Sequence, residues 1–370
     1  MTPRQRLETV FRGGTPDRVP VTLYEFSGLD DHRPRDDAGY AELIAMQREF
    51  GETFVHVGVD LGLGMGDPNV VLEGGGDLTQ PAQRTTTVAT LAGDLTGVSR
   101  REAGCITWWQ AKPLIESPDD CRKWLSLPEP PCDPDPAAVI DAQQKLGDDG
   151  VVLIGPGDAV GLVAGLFHFD RFVMTLLDDE VLILEMLSRT AARLERGLRA
   201  VCPMIEGACV RFWGPEYAAS PLLNPHRYFE KLVVDFDREA FRIVNDSGNF
   251  SVLHAHGHLA DILDGIAELS PAVLEPLEVL PAATADVTMG ELKRRIGSKV
   301  CLFGGIEASE LELLSPERID ARIKEIIADG APGGGFGLLP TSAPIEVPLP
   351  RRVVDNYRAY FRAAHAYGAY

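Results

Sequence analysis

Residues 254–258 read His-Ala-His-Gly-His, three of the eight histidines of the chain within five positions. They follow the apolar Phe250, Val252 and Leu253, and 21 residues separate His256 from the acid Glu278. Alternate side chains of a strand share a face. His254 and His256, and His258 if the strand runs on, therefore point at one place. Neutral imidazoles with a carboxylate are the common ligands of a catalytic zinc, which takes three protein groups and keeps one position open. His254, His256 and Glu278 are the expected metal ligands. Glu275, three positions earlier in Leu-Glu-Pro-Leu-Glu, competes with Glu278, and the odd spacing keeps the two off one face of a strand. For any one histidine, a polar strand end bonded to nearby backbone explains as much.

Other polar residues stand where strands are expected to end. Glu216, in Trp213-Gly214-Pro215-Glu216-Tyr217, is a further ligand or a catalytic base, or else the cap of the next helix. His258 is a general acid or base, or a capping residue beyond the break at Gly257. Asp60 and Glu25 close two candidate strands; each serves the chemistry or neutralises an arginine such as Arg18 or Arg211. Trp213, Tyr217, Ser342 and Glu25 are the expected pocket wall. Trp108 and Trp109 line a pocket mouth or, the plainer account, cover a core edge.

The elements that must hold these residues alternate. A short helix over 3–12, capped by Thr2, precedes a strand over 19–26, a helix over 38–50 and a strand over 53–60. Residues 61–130 break the pattern with glycine-rich loops and short strands, and read as an insertion covering the mouth of the fold. From residue 150 apolar runs recur at 151–155, 209–214, 250–256, 273–278, 300–305 and 336–340. Helices fill the gaps, among them 178–200, 225–247, 289–296 and 316–329. Strand–helix repetition predicts a parallel sheet, and eight candidate strands predict a closed (β/α)8 TIM barrel of the α/β class. Residues 1–370 then form one domain with its chemistry at the C-terminal ends of the strands.

Bulk properties narrow the function. The 370 residues carry a net charge of -20, with 45 % hydrophobic and 24 % charged side chains. That balance argues against nucleic-acid and anionic-membrane surfaces, which need clustered Lys and Arg. Six scattered cysteines without a C-x-x-C suit a reducing cytoplasm. No run reaches the roughly 18 apolar residues of a membrane span, and the charged N-terminus does not read as a signal peptide.

The chain resembles the uroporphyrinogen decarboxylase superfamily, which includes zinc- and cobalamin-linked methyltransferases. The likeness lies in RQRLETVFRGGTPDRVPV near the start, then GPEYAASPLLNPHRYFEKLV, HAHGH, LEPLE, the Gly-Gly-Ile turn at 304–306, and GGGFGLLPTSAP. It spans essentially the whole chain and implies a barrel with its site in the mouth. The arginine-rich tetrapyrrole segment of true decarboxylases is not matched by GLDDHRPRDD at 28–37. The methyltransferase branch carries a His-x-Cys zinc motif, an acid and a second cysteine. Here His256 stands for the first cysteine, Glu278 for the acid, and the second cysteine is missing near Ser342. The closest likeness is to a His-x-His-Gly subgroup. A ligand set without thiolates leaves zinc more Lewis acidic and suits a substrate oxygen. The resemblance thus implies zinc-assisted methyl transfer from an oxygen, such as O-demethylation of a methoxylated small molecule. The acceptor would be a corrinoid on a separate protein. The alternatives are a decarboxylase-like lyase acting on a carboxylic acid or tetrapyrrole, and a non-catalytic corrinoid- or tetrapyrrole-binding barrel. Members are often dimers, so a homodimer is expected.

Overall fold

Strands that are apolar on both faces need cover on both sides, and the amphipathic helices between them supply it. The computed structural model describes residues 1–24, 26–29, 34–61, 70–129 and 132–370. Its strands in chain order are β1 (Thr53–His56), β2 (Val70–Gly74), β3 (Ala82–Val88), β4 (Leu95–Arg101), β5 (Trp109–Lys112), β6 (Gly150–Ile154), β7 (Cys209–Trp213), β8 (Phe250–His254), β9 (Val273–Leu277), β10 (Cys301–Ile306) and β11 (Phe336–Pro340). Seven of them form a curled parallel sheet in the order β1-β6-β7-β8-β9-β10-β11.

The described residues show seven strands in this sheet where eight were expected. The segment expected as the first strand, 19–26, makes a single parallel bridge, Val21 to Leu338. It still touches both edges. Leu338 N–H donates to Pro20 O at 2.8 Å, and Glu52 N–H, just before β1, donates to Val21 O at 2.9 Å. Pro20 has no N–H of its own, which interrupts a ladder at that point.

Strand alternation divides the apolar residues between two layers. Val152, Ile154, Val210, Phe212, Leu253 and Leu274 join the core between sheet and helices. Val151, Leu153, Cys209, Phe250, Val252, Val273 and Phe303 turn the other way, into the hollow of the sheet. The helix Pro3–Phe11 closes the amino end of that hollow. Thr2 and Gln5 form its capping box, and the Phe11 ring lies 5.1 Å from Phe250 and 5.8 Å from Phe303. The opposite end is left to polar residues.

Between β1 and β6, strands β2 to β5 form an antiparallel sheet of their own. Strands β3 and β4 pair as a hairpin over 82–101. This unit is tied to loops that follow parallel strands: Ile115 N–H donates to Leu166 O, and Val347 N–H donates to Gly104 O. The Arg84 and Arg101 guanidinium groups both pack on the Trp108 ring, 4.0 and 4.9 Å from its centre. Trp109 is exposed. Among the described residues no helix is long and apolar enough to cross a membrane, and all six cysteines are free thiols.

Candidate active site

Adjacent parallel strands bring the motif residues together. β7, β8 and β9 align so that Trp213 pairs with His254, and His254 with Glu275. Arg211, two residues before Trp213, shares its face. The Glu275 carboxylate meets the Arg211 guanidinium at 2.9 Å and His254 Nδ1 at 3.0 Å through the same oxygen, Oε1. The Tyr24 hydroxyl lies 3.5 Å from that Nδ1, and its ring sits under the Arg211 guanidinium. The second histidine takes the second acid. His256 Nδ1 is 2.7 Å from Glu278 Oε1, and Gly257 N–H donates to Glu278 Oε2 at 3.1 Å. The two imidazoles lie 4.8 Å apart, nearly perpendicular.

Both acids therefore serve the site, one for each histidine, where alternation had allowed only one of them on the strand face. The strand ends at Leu277, so Glu278 escapes the period of two. The electrostatics follow from the pairing. Burial opposes ionisation of Glu275, but Arg211 and then His254 outweigh it and hold the acid down at about 2. At Glu278 burial is likewise overcome, here by the hydrogen bond to His256. Burial works against the His256 cation, and Glu278 more than offsets it, raising His256. Glu216 lies near both imidazoles. Burial raises its carboxyl against the pull of His254, and its Oε2 is buried without a hydrogen-bond partner.

The remaining expected residues are placed as follows. Trp213 ends β7, and the Tyr217 ring stacks on Phe169 at 5.5 Å. His258 is partly buried beyond the strand and joins neither imidazole–carboxylate pair. Asp60 is exposed, four residues past the end of β1 at His56. Ser342 is exposed, and its hydroxyl donates to Ala343 O at 3.4 Å. Glu25 lies outside the described residues. Tyr24 and His56 are contributors the sequence did not point to, and Arg211, there only a partner for Asp60 or Glu25, joins them; the three line one cavity with Glu275 above Phe54, Leu153, Val252 and Phe303. A lone arginine in the apolar run Cys-Val-Arg-Phe-Trp was the available signal for Arg211.

The donor set suits a divalent metal in kind. A carboxylate at Nδ1 fixes the tautomer and leaves Nε2 free to ligate, and both histidines are held this way. The expected third ligand is otherwise engaged, since both Glu278 oxygens have partners. Among the described residues, no three His, Cys, Asp or Glu side chains close around a common point as a metal requires.

No known family profile matches the chain, and no curated protein matches it. Among solved structures it is similar to a methyltransferase from Methanosarcina mazei, at 16 % identity and a TM-score of 0.59, over 99 % of both chains. This likeness establishes the fold from end to end. A muconate cycloisomerase variant matches at 13 % identity and a TM-score of 0.26, over 80 % of this chain and 77 % of that one. Overlap that slight carries no weight.

Proposed function

We propose that the protein is a methyltransferase-like enzyme that moves a methyl group from a substrate oxygen. The observation that carries this is the pair of oriented histidines, His254 on Glu275 and His256 on Glu278, beside a buried acid with a free oxygen, Glu216. The similarity in fold to a methyltransferase along the full chain supports it. Zinc, if bound, would be held by His254 and His256 through Nε2, with Glu275 behind the first and Glu278 behind the second, and would supply Lewis acidity to the substrate oxygen.

The chain's own groups do the rest. Arg211 keeps Glu275 ionised, and Glu275 keeps the His254 ring fixed. Glu216, its carboxyl raised by burial, is the group that donates to the departing oxygen. The carbon–oxygen bond breaks with its electron pair on oxygen, the proton comes from Glu216, and the methyl group passes to a nucleophilic acceptor. A reduced corrinoid on a separate protein fits that role. Trp213 and Tyr217 supply an apolar wall for an aromatic or aliphatic methyl ether.

The test is methyl transfer from methoxylated aromatics to reduced cobalamin, with metal analysis of the purified protein. Methylcobalamin formation that is lost in His254→Ala and His256→Ala is expected. Carbon dioxide release without methyl transfer would instead identify a lyase. Absence of zinc, unchanged by the two substitutions, would remove the metal.

A further inference from the structure

Beneath the turn that carries Glu216, two carboxyl groups are buried without a cation. Asp158 is 0 % exposed and Asp237 1 %. Asp158 caps the helix Ala159–Ala164: its Oδ1 accepts from Gly161 N–H at 2.6 Å, and its own N–H donates to Trp213 O at 3.3 Å. Asp237 comes from the helix Asp235–Asp246, immediately after the π-helical turn Glu230–Val234. Such single turns are frequent at functional sites. The Ala159–Ala164 helix packs against both that turn and the Pro215–Ala218 turn.

The satisfaction of these acids is incomplete. Neither Asp158 Oδ2 nor either oxygen of Asp237 has a hydrogen-bond partner of regular geometry. Among the described residues, no Arg, Lys or His forms an ion pair with them. The charged or titratable groups that face them are each other, Glu216 and Tyr217, none of them a cation. Two buried carboxylates at one site are costly. One proton between them removes a charge and supplies the missing donor. Gly214 shows how closely the site's turn rests on this pair. Its φ is +134°, and a Cβ there would stand 2.4 Å from Asp158 Oδ1.

We propose that Asp158 and Asp237 share one proton and act together as positioning residues that clamp the Trp213–Glu216 turn in place. Burial raises both acids. Asp237 reaches about 7 against the pull of the Ala159 amide and Asp158. Asp158 is raised further, by burial and then by the Asp237 charge. Asp237 ionises first and leaves one proton between the pair; when Asp158 gives that proton up at higher pH, the carboxylates repel and the turn loses its support.

The inference rests on the proposed function only for its effect on turnover, so two measurements are paired. The first is carboxyl 13C NMR on aspartate-labelled protein, with Asp158→Asn and Asp237→Asn assigning the signals. The expected result is a linked titration with one step near neutrality, absent from both variants. Two independent titrations near the ordinary value of about 3.9 would overturn the shared proton. The second is methyl transfer by Asp237→Leu, expected to lose about 10- to 100-fold in kcat, the scale of a lost positioning contact, with KM nearly unchanged. Asp237→Asn supplies a permanent donor to Asp158, so it should restore turnover and remove its decline at alkaline pH. Wild-type kcat in Asp237→Leu would refute the clamp. If wild-type protein transfers no methyl group, the functional reading fails, while the NMR result still decides the proton.

Discussion

Two buried arginine–glutamate clusters occupy opposite ends of the parallel strands, and they differ in how completely they are closed. At the amino end Glu52 is 0 % exposed. Its Oε1 accepts from Arg6 at 2.6 Å and Arg18 at 2.8 Å, and its Oε2 accepts from Val21 N–H at 2.6 Å. At the carboxyl end Glu275 also takes two partners on Oε1, Arg211 and His254. Its Oε2 has none. The first cluster fastens the N-terminal helix and the bridging segment 20–22 to the start of β1. The second spends its charge on orienting an imidazole and leaves an acceptor open in a cavity. Similar residue types thus hold a fold in one place and prepare a site in the other; what differs is whether any lone pair is left over.

The comparison can be broken most forcefully at Glu52. Glu52→Ala takes the shared carboxylate from Arg6 and Arg18, leaving Arg6 with Asp17, and should cost about 3–5 kcal/mol, the scale for breaking a buried ion pair. The urea midpoint measures it, and turnover per folded molecule should stay near wild type. An equal loss of turnover would erase the distinction between the clusters.

A smaller effect comes from the third buried group, the acids without a cation. Asp237 is raised by burial to about 7, so the folded chain keeps a proton that the unfolded chain loses near pH 4. That stabilisation is full below the unfolded value and disappears as pH rises through the folded one. Stability should fall by roughly 2–4 kcal/mol between about pH 4 and 8 from this source. Denaturation across that range, with Asp237→Asn as the flattened control, checks the sign and size.

Glu275→Gln keeps the shape of the carboxylate and removes its charge. A loss of about 10- to 100-fold in turnover is expected, typical of a group that orients a functional histidine, and a small change in the urea midpoint. A large midpoint shift with intact turnover would make the second cluster structural after all. Smallest of all, His258→Ala and Ser342→Ala should each change stability by less than about 0.5 kcal/mol and leave turnover near wild type. Substantial loss in either would extend the site beyond the two imidazole–carboxylate pairs.

Legibility followed the range of the interactions. The helix after Thr2, the helix started by Asp179, and the strands from β6 to β11 rest on capping and on periodicities a few residues long. They could be drawn from the chain directly. The expected strand over 53–60 stops at His56, so Asp60 loses its place at a strand end. The segment 19–26 falls short of a strand where Pro20 interrupts the ladder. The partnership of Arg211, His254 and Glu275 depends on the register of three strands, which no local pattern states. Asp158 and Asp237 meet only because two helices pack against the same turn.

By itself, the sequence determined which chemistry was on offer: clustered imidazoles, nearby acids, few thiols, and strands to carry them at a common end. Those follow from residue type and short-range spacing. Only the tertiary structure decided which acid serves which histidine, which carboxylate keeps an open oxygen, and which acids are buried together. Such pairings arise between segments distant in the chain, where register and desolvation set the energy and composition does not.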